Sequence, residues 1–378
     1  MIKFIVRLLL ISTFSWGSII PAAENYSKYL PLLKGKRVAL VVNQSSRVGK
    51  IHLVDFLLNK RVKVVKIFAP EHGFRGKADA GKYVKSSRDM RTNLPIISLY
   101  GKNKKPTKRN LLGVDIILFD IQDVGVRFYT YLSTLHFIME AGAKYHKPLI
   151  VLDRPNPNGH FVDGPILESK YRSFVGLDPV PLVYGMTIGE YAKMLNGERW
   201  IGSKRVNLTI IPISNYTHNT PYRLPIKPSP NLPTAKAIAL YPSLALFEGT
   251  IFSAGRGTKQ PFELYGHPRY TNKKFSFTPK SRIGALHPKF KNRKCYGVNL
   301  KRAKVKSQIN LSYLLNAYNN YPNKKKFFLK NRFIDKLAGS NKLRKQILLG
   351  MPEAKIRTSW QQDLKKFKKI RKKYLIYK

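Results

Sequence analysis

The chain has 378 residues, 43% of them hydrophobic, which is enough apolar material for two domains with their own cores and excludes a disordered chain. A formal net charge of +50, from 70 basic and 20 acidic residues, predicts attraction to anions such as nucleic acid or an anionic cell-wall polymer. The cations are spread along the chain and none of the modules that recognise DNA or RNA is present, so we expect no specific nucleic-acid partner. The single cysteine, Cys295, excludes an internal disulfide and a multi-cysteine metal site.

The N-terminus resembles a secretory signal peptide. Lys3 precedes and Arg7 interrupts an apolar segment, and Gly17 and Ala23 each end a candidate cleavage site. We expect residues 1–23 to be a leader and the mature protein to be exported, either periplasmic or secreted. The alternative is an uncleaved anchor, for which the segment is barely long enough. No later run of 18 apolar residues follows, so we expect no stable membrane insertion after removal of the leader.

Five short apolar runs without strict alternation are typical of a parallel sheet that is covered on both faces. Between and after them, helical periods at 52–59, 128–145 and 188–196 and a further strand at 206–213 continue the α/β pattern. This alternation predicts a Rossmann-like, doubly wound α/β domain with a mostly parallel sheet. The apolar runs lie at residues 37–42, 62–68, 94–99, 114–119 and 148–152.

A series of prolines from Pro221 to Pro233 indicates a domain boundary. We therefore expect the Rossmann-like catalytic domain to span residues 24–235. Residues 236–378 then form a second, smaller α+β auxiliary domain that completes a cleft. This second part contains Glu248 and a glycine-flanked Arg256, in a loop suited to an anion or to sugar hydroxyls.

Polar side chains follow the predicted strands, at the sheet edge where open α/β proteins bind their ligands. Acids are scarce in this chain, so four of them at this edge favour a site, although helix capping would explain one or two. No G-x-G-x-x-G motif follows the first strand, which argues against a dinucleotide. The polar residues at the edge are Asn43, Glu71, His72, Tyr100, Asp120, Asp123, Asp153 and Arg154.

Two carboxylates at one cleft are the requirement of glycoside hydrolysis, in which one acid protonates the leaving oxygen and the other is base, nucleophile or stabiliser. We expect Glu71 to be the acid, with His72 tuning it or binding substrate. A divalent metal held by His72 with Asp120, Asp123 and Asp153 is the competing chemistry, but the ligand spacings are unfamiliar, and we expect no metal and no other cofactor. Ser-His-Asp catalysis is disfavoured because no G-x-S-x-G occurs.

Several long blocks of the sequence match those of a known family. They include FAPEHGFRG (68–76), GVDIILFDIQDVGVRFYTYLSTL (113–135), VLDRPNPNG (151–159), SPNLPT (229–234) and EGTIFSAGRGTKQPFELYGHP (248–268). On these blocks the sequence resembles the NamZ-like exo-β-N-acetylmuramidase family from about Lys36 to the C-terminus. The resemblance implies a Rossmann-like domain, an auxiliary domain, and the release of N-acetylmuramic acid from non-reducing ends of peptidoglycan fragments in cell-wall turnover. The alternative is a non-catalytic cell-wall or polyanion-binding protein on the same fold.

The resemblance also assigns residues to the site, namely Glu71, His72, Asp120, Asp123, Arg127, Glu248 and Arg256. One departure concerns Tyr184, which stands where the family usually has His. The catalytic role could be completed by a second carboxylate or by the substrate's own acetamido group, with Asp120 or Glu248 orienting it. The lactyl carboxylate of muramic acid should meet a cation, for which Arg127, Arg154 and Arg256 are candidates. The expected catalytic residues are Glu71, His72, Asp120 and Glu248, and the expected substrate-binding residues are Asn43, Arg75, Asp123, Arg127, Tyr129, Asp153, Arg154, Asn156, Asn231 and Arg256.

Overall fold

A computed structural model describes residues 17–71, 73–74, 87–101 and 103–377. His72 and Arg75, both expected at the site, lie outside the described residues. None of the helices within the described ranges combines the length and apolar character needed to cross a bilayer.

The secondary structure alternates strands and helices in the first half and becomes largely helical toward the end. The strands are β1 (Val38–Val42), β2 (Arg47–Val48), β3 (Ile51–His52), β4 (Val64–Ala69), β5 (Ser87–Arg88), β6 (Pro95–Ser98), β7 (Ile116–Asp120), β8 (Leu149–Leu152), β9 (Leu208–Ile211), β10 (Leu264–His267), β11 (Ser276–Phe277) and β12 (Cys295–Asn299). The helices are α1 (Tyr26–Leu33), α2 (Leu53–Asn59), α3 (Tyr131–Lys144), α4 (Ile188–Gly197), α5 (Ala235–Leu244), α6 (Ser312–Asn319), α7 (Phe333–Ala338), α8 (Lys342–Leu348), α9 (Glu353–Thr358) and α10 (Gln361–Lys372).

Seven strands form one sheet in the order β5-β6-β4-β1-β7-β8-β9, and every pairing is parallel except β5 with β6. The chain starts at the centre with β1, builds outward through β4 and β6, and then returns to build the other side from β7. Each of the five predicted runs contains one of these strands, and β1, β7 and β8 are buried along their whole length. The predicted doubly wound, mostly parallel sheet is therefore confirmed.

Helix α4 shows how local sequence places an element. The Thr187 side chain accepts a hydrogen bond from the Glu190 backbone amide, and the Glu190 carboxylate accepts one from the Thr187 amide, which completes a capping box. Thr187 is therefore the N-cap of α4.

The second half of the chain adds a small antiparallel sheet, β10-β12-β11, and five further helices, α6 to α10. Gly266 on β10 lies opposite Gly297 on β12, and a side chain on either glycine would collide with the neighbouring backbone. One apolar core runs from the sheet of the first half into these helices, so the two halves share a continuous buried interior.

The described N-terminal residues are part of the fold. Ile20 pairs with Ser214 in an antiparallel bridge, and Ala22 and Ala23 are fully buried. The Ala22 amide also donates to the Asp153 carbonyl at 3.1 Å.

Candidate active site

A cleft of about 930 Å³ lies between the two halves of the chain. One wall comes from the loops after β4, β6 and β7 and from residues 174–175. The other comes from residues between 241 and 289 and from α7. Glu71 lies on the first wall, and Glu248 and Arg256 lie on the second. The charged and polar residues that line the cleft are Glu71, Tyr100, Lys104, Thr130, Tyr241, Glu248, Ser253, Arg256, His287 and Lys289.

Glu71 reaches the cleft because β4 ends at Ala69 and Pro70 turns the chain out of the sheet. The Thr130 hydroxyl donates a hydrogen bond of 2.6 Å to Glu71 Oε2. The Tyr100 hydroxyl also bonds to this carboxylate, and burial together with the Glu71 charge raises the pKa of Tyr100. Two neutral donors therefore hold Glu71 in place while leaving it half-buried beside the open space of the cleft.

Glu248 lies in a short 3-10 helix, Ala245–Gly249, that directly follows α5. Arg256 Nε donates to Glu248 Oε1 at 3.2 Å, and the same guanidinium lies 5.0 Å from the centre of the Phe262 ring. Burial would raise the pKa of Glu248, but the Arg256 and Lys289 charges outweigh it and hold that pKa below its ordinary value. Glu248 is therefore ionised near neutral pH.

Tyr241 connects the two walls. Its hydroxyl is buried, which raises its pKa, and it lies within the fields of Arg256, Glu248 and Glu71. Its ring packs edge-to-face against Phe262 and Phe128. A neutral phenol between two carboxylates supplies a hydrogen-bond donor or acceptor for a sugar hydroxyl at the centre of the cleft.

Asp120, expected to be catalytic, is fully buried at the end of β7. Both of its oxygens accept hydrogen bonds from Arg154, at 2.5 and 2.8 Å, in a two-pronged ion pair. Neither residue belongs to the cleft lining within the described residues. This ion pair joins the ends of β7 and β8. Because Arg154 is buried and bonded to Asp120, it is not placed to bind a substrate carboxylate.

Asp153, expected to bind substrate, is also fully buried. Its carboxylate accepts hydrogen bonds from the Gly189 amide at 2.8 Å, the Thr187 hydroxyl at 2.7 Å and the Tyr377 hydroxyl at 2.7 Å. Burial raises the pKa of Asp153 to about 6 despite these bonds. Asp153 therefore joins the start of α4 to the C-terminal segment.

Asp123 is also buried, and its two carboxylate oxygens differ in their hydrogen bonds. One of its oxygens accepts hydrogen bonds from the Gly125 amide, at 2.6 Å, and from the Tyr184 hydroxyl. The other oxygen, Oδ1, is buried and has no hydrogen-bond partner among the described residues. Burial raises the pKa of Asp123 to about 6. The unusual Tyr184 thus contacts Asp123 beneath the cleft.

Other expected binding residues also bond to the protein itself. Arg127 is 1% exposed and donates to the Pro165, Val180 and Leu337 carbonyls, so it bridges the two halves of the chain. The Tyr129 hydroxyl donates to the Pro228 carbonyl, and the side-chain amides of Asn231 and Asn156 donate to the Gly284 and Met186 carbonyls. Asn43 Oδ1 accepts hydrogen bonds from the Ser45 backbone amide and hydroxyl. Arg256 is the one expected substrate-binding residue that lines the cleft within the described residues.

Sequence reasoning missed several residues of the cleft. Lys289 lies beside Glu248 and donates to the Thr250 carbonyl at 2.7 Å. Lys104 lies 4.9 Å from the centre of the Phe174 ring at the other end. Thr130 lies within one of the matching sequence blocks, so that block was the available signal. Lys289 and Lys104 resemble the many surface lysines and gave no signal.

No group of three or more His, Cys, Asp or Glu side chains suited to a metal ion occurs among the described residues. Of the four ligands in the competing metal hypothesis, Asp120 is paired with Arg154. Asp153 accepts hydrogen bonds from four groups, the Thr187 and Tyr377 hydroxyls and the Gly189 and Arg154 backbone amides. The arrangement of the described carboxylates fits proton transfer in the cleft.

Family models for exo-β-N-acetylmuramidase NamZ match nearly the whole chain, with the N-terminal model over residues 38–236 and the C-terminal model over residues 239–377. The chain belongs to the NamZ family. The peptidoglycan β-N-acetylmuramidase NamZ of Bacillus subtilis (strain 168) is 39% identical over 99% of this chain and 98% of its own length.

Two crystal structures of DUF1343 family proteins from Bacteroides fragilis share the NamZ fold. One is 47% identical with a TM-score of 0.89, covering 96% of this chain and 99% of the other. The second is 29% identical with a TM-score of 0.83, covering 95% of this chain and 99% of the other. The two-domain α/β architecture is therefore common to the family, and the cleft described above lies between the parts that the two family models match.

Proposed function

We propose that this chain is an exo-acting glycoside hydrolase that releases N-acetylmuramic acid from non-reducing ends of peptidoglycan fragments, in cell-wall turnover. The single observation that carries the proposal is a cleft with a carboxylate on each wall, Glu71 and Glu248, in a member of the NamZ family. Glycoside hydrolases commonly use such a pair, with one carboxyl group on each side of the scissile bond.

The surroundings of the two carboxylates divide their roles. Glu248 is kept ionised by Arg256 and Lys289, so it suits the group that stabilises positive charge on the sugar or activates water. Glu71 accepts hydrogen bonds from two neutral hydroxyl groups, those of Thr130 and Tyr100, and lies on the opposite wall of the same cleft. We assign Glu71 as the acid that protonates the leaving oxygen.

The lactyl carboxylate of muramic acid needs a cation in the cleft. Arg127 and Arg154 are committed to protein carbonyls and to Asp120, whereas Arg256 and Lys289 line the cleft. We assign recognition of the lactyl group to Arg256, with Lys289 beside it. The substrate carboxylate would then compete with Glu248 for the same guanidinium.

The test is release of N-acetylmuramic acid from a MurNAc-GlcNAc disaccharide by the wild type and by Glu71→Gln. Loss of a positioned general acid reduces kcat by about 10²- to 10⁴-fold, so we expect the variant to be slower by about 10³-fold with an unchanged melting temperature. Glu24→Gln, the same change at an exposed glutamate outside the cleft lining, is the comparison variant and should keep the wild-type rate. Undiminished release by Glu71→Gln would remove Glu71 from its role, and no release by the wild type would contradict the function.

We also propose that the protein is exported. The support is the apolar N-terminal segment with Lys3 before it. The burial of Ala22 and Ala23, and the bridge from Ile20 to Ser214, favour cleavage after Gly17 over cleavage after Ala23. Mass spectrometry of the mature protein should find Ser18 at its N-terminus, and an intact Met1 on a soluble protein would contradict export.

A further inference from the structure

The segment from Leu264 to Ile334 contains 18 Lys and Arg and no Asp or Glu, so all 20 acidic residues of the chain lie outside it. Every one of these cations is exposed except Lys289 and Lys324, which are half-buried. Among the described residues, none of the 18 forms an ion pair with a carboxylate. A surface of this kind repels itself and attracts anions.

Part of this segment borders the cleft. Residues 284–289 line it, and the chain on either side carries four exposed cations, Lys280, Arg282, Lys291 and Arg293. We name these four the cationic rim. The rim is therefore the place where the acid-free segment meets the cleft.

Backbone hydrogen bonds fix the rim relative to the cleft. The Lys280 amide donates to the Gly257 carbonyl at 2.8 Å, next to Arg256 in the chain, and the Lys291 amide donates to the Pro288 carbonyl at 3.2 Å. Arg282 and Ala285 exchange backbone hydrogen bonds of 3.1 and 2.9 Å. The rim cations are thus anchored through their main chain, while their side chains remain exposed.

A glycan strand that places its terminal muramic acid between Glu71 and Glu248 must extend out of the cleft. If it carries no peptides, each later muramic residue presents a further lactyl carboxylate. We propose that the cationic rim binds these carboxylates, so that this enzyme prefers peptide-free strands longer than the disaccharide. The inference rests on the proposed function. Nucleic acid would satisfy the same charge, but the position of the rim beside a sugar-sized cleft favours a glycan.

The experiment compares KM for the disaccharide MurNAc-GlcNAc and for the peptide-free tetrasaccharide with the same repeat. An exposed ion pair contributes at most about 1 kcal/mol, so we expect KM for the tetrasaccharide to be lower by about threefold to fivefold in the wild type. The difference should shrink at high ionic strength because exposed charges are screened. The rim variant Lys280→Gln, Arg282→Gln, Lys291→Gln, Arg293→Gln should lose the difference, with disaccharide turnover reporting that it is folded.

A matched control carries the same change in charge on α10, none of whose residues lines the cleft. Lys365→Gln, Lys368→Gln, Lys369→Gln, Lys372→Gln should keep the tetrasaccharide preference. Equal KM values for both substrates in the wild type, or an equal loss in both variants, would overturn the rim proposal. A rim variant that keeps the glycan preference but loses affinity for a single-stranded oligonucleotide would also overturn it. Absence of disaccharide turnover in the wild type would instead contradict the proposed function.

Discussion

The acids at the carboxyl edge of the sheet and the acids of the cleft differ in their partners. Asp120 and Asp153 are fully buried and are bonded to Arg154 or to hydroxyl and amide donors from distant segments. Glu71 and Glu248 are partly exposed and face a common space. Asp120 ends β7, Glu71 and Asp153 follow the strands β4 and β8, and Glu248 lies in a short 3-10 helix. A position at the end of a strand is therefore not sufficient to bring an acid to the cleft.

The largest effect expected to separate the buried acids from the cleft acids is the loss of activity in the Glu248→Gln variant. Removal of the ionised carboxylate takes away the charge that opposes positive charge on the sugar, so kcat should fall by about 10²-fold or more. Disaccharide hydrolysis at saturating substrate measures it. The melting temperature should fall less than on breaking a fully buried pair, because 28% of the Glu248 side chain and 23% of the Arg256 side chain are exposed.

The next effect is on stability, through Asp120→Asn. The substitution leaves the Arg154 guanidinium, which is 6% exposed, without its counter-charge, and breaking a buried pair in this way costs about 3 to 5 kcal/mol. Urea denaturation measures the free energy of unfolding. At a temperature where the variant stays folded, kcat should remain near the wild-type value. A fall in kcat as large as that of Glu248→Gln, with unchanged stability, would move Asp120 to the catalytic group.

The smallest expected effect concerns the pH dependence of stability and involves Asp123. Its pKa is 3.8 unfolded and about 6 folded, so between these values the folded protein retains a proton that the unfolded chain has lost. The contribution of Asp123 to stability is therefore greatest below about pH 4 and is lost as pH rises to about 6. The stability lost between about pH 4 and about pH 6 amounts to about 2 kcal/mol.

The corresponding measurement is the free energy of unfolding of the wild type and of Asp123→Asn from pH 4 to pH 7. Asparagine does not titrate, so the variant should lose less stability than the wild type as the pH rises. Parallel curves for the two proteins would show that Asp123 is ionised throughout and that Tyr184 compensates its burial fully.

Much of the fold was predictable because it is encoded locally. The apolar runs that became β1, β7 and β8 are continuous, and Thr187 with Glu190 forms a cap within four residues. The sheet β10-β12-β11 was not predicted, because its strands are short and include Gly266 and Gly297 at the point where two backbones approach closely.

The site was predictable only in part. Glu71 and the Glu248 and Arg256 pair were identified, and the last two lie eight residues apart in the chain. The partners that remove Asp120 and Asp153 from the cleft are Arg154, 34 residues away, and Tyr377, 224 residues away. The sequence near either acid does not indicate those bonds. Long-range pairing, rather than residue type, therefore separates the buried acids from those that line the cleft.

The bond between Tyr377 and Asp153 has a consequence for the order in which the chain folds. Asp153 caps a helix of the first half, yet its partner belongs to the last residues, and the Tyr377 hydroxyl also accepts a hydrogen bond from the Ile213 amide at 2.9 Å. The Arg127 guanidinium likewise donates to the Leu337 carbonyl, which lies far along the chain. Contacts of such sequence separation form late and slowly. The first half should therefore remain incompletely packed until the last residues of the chain have been synthesised.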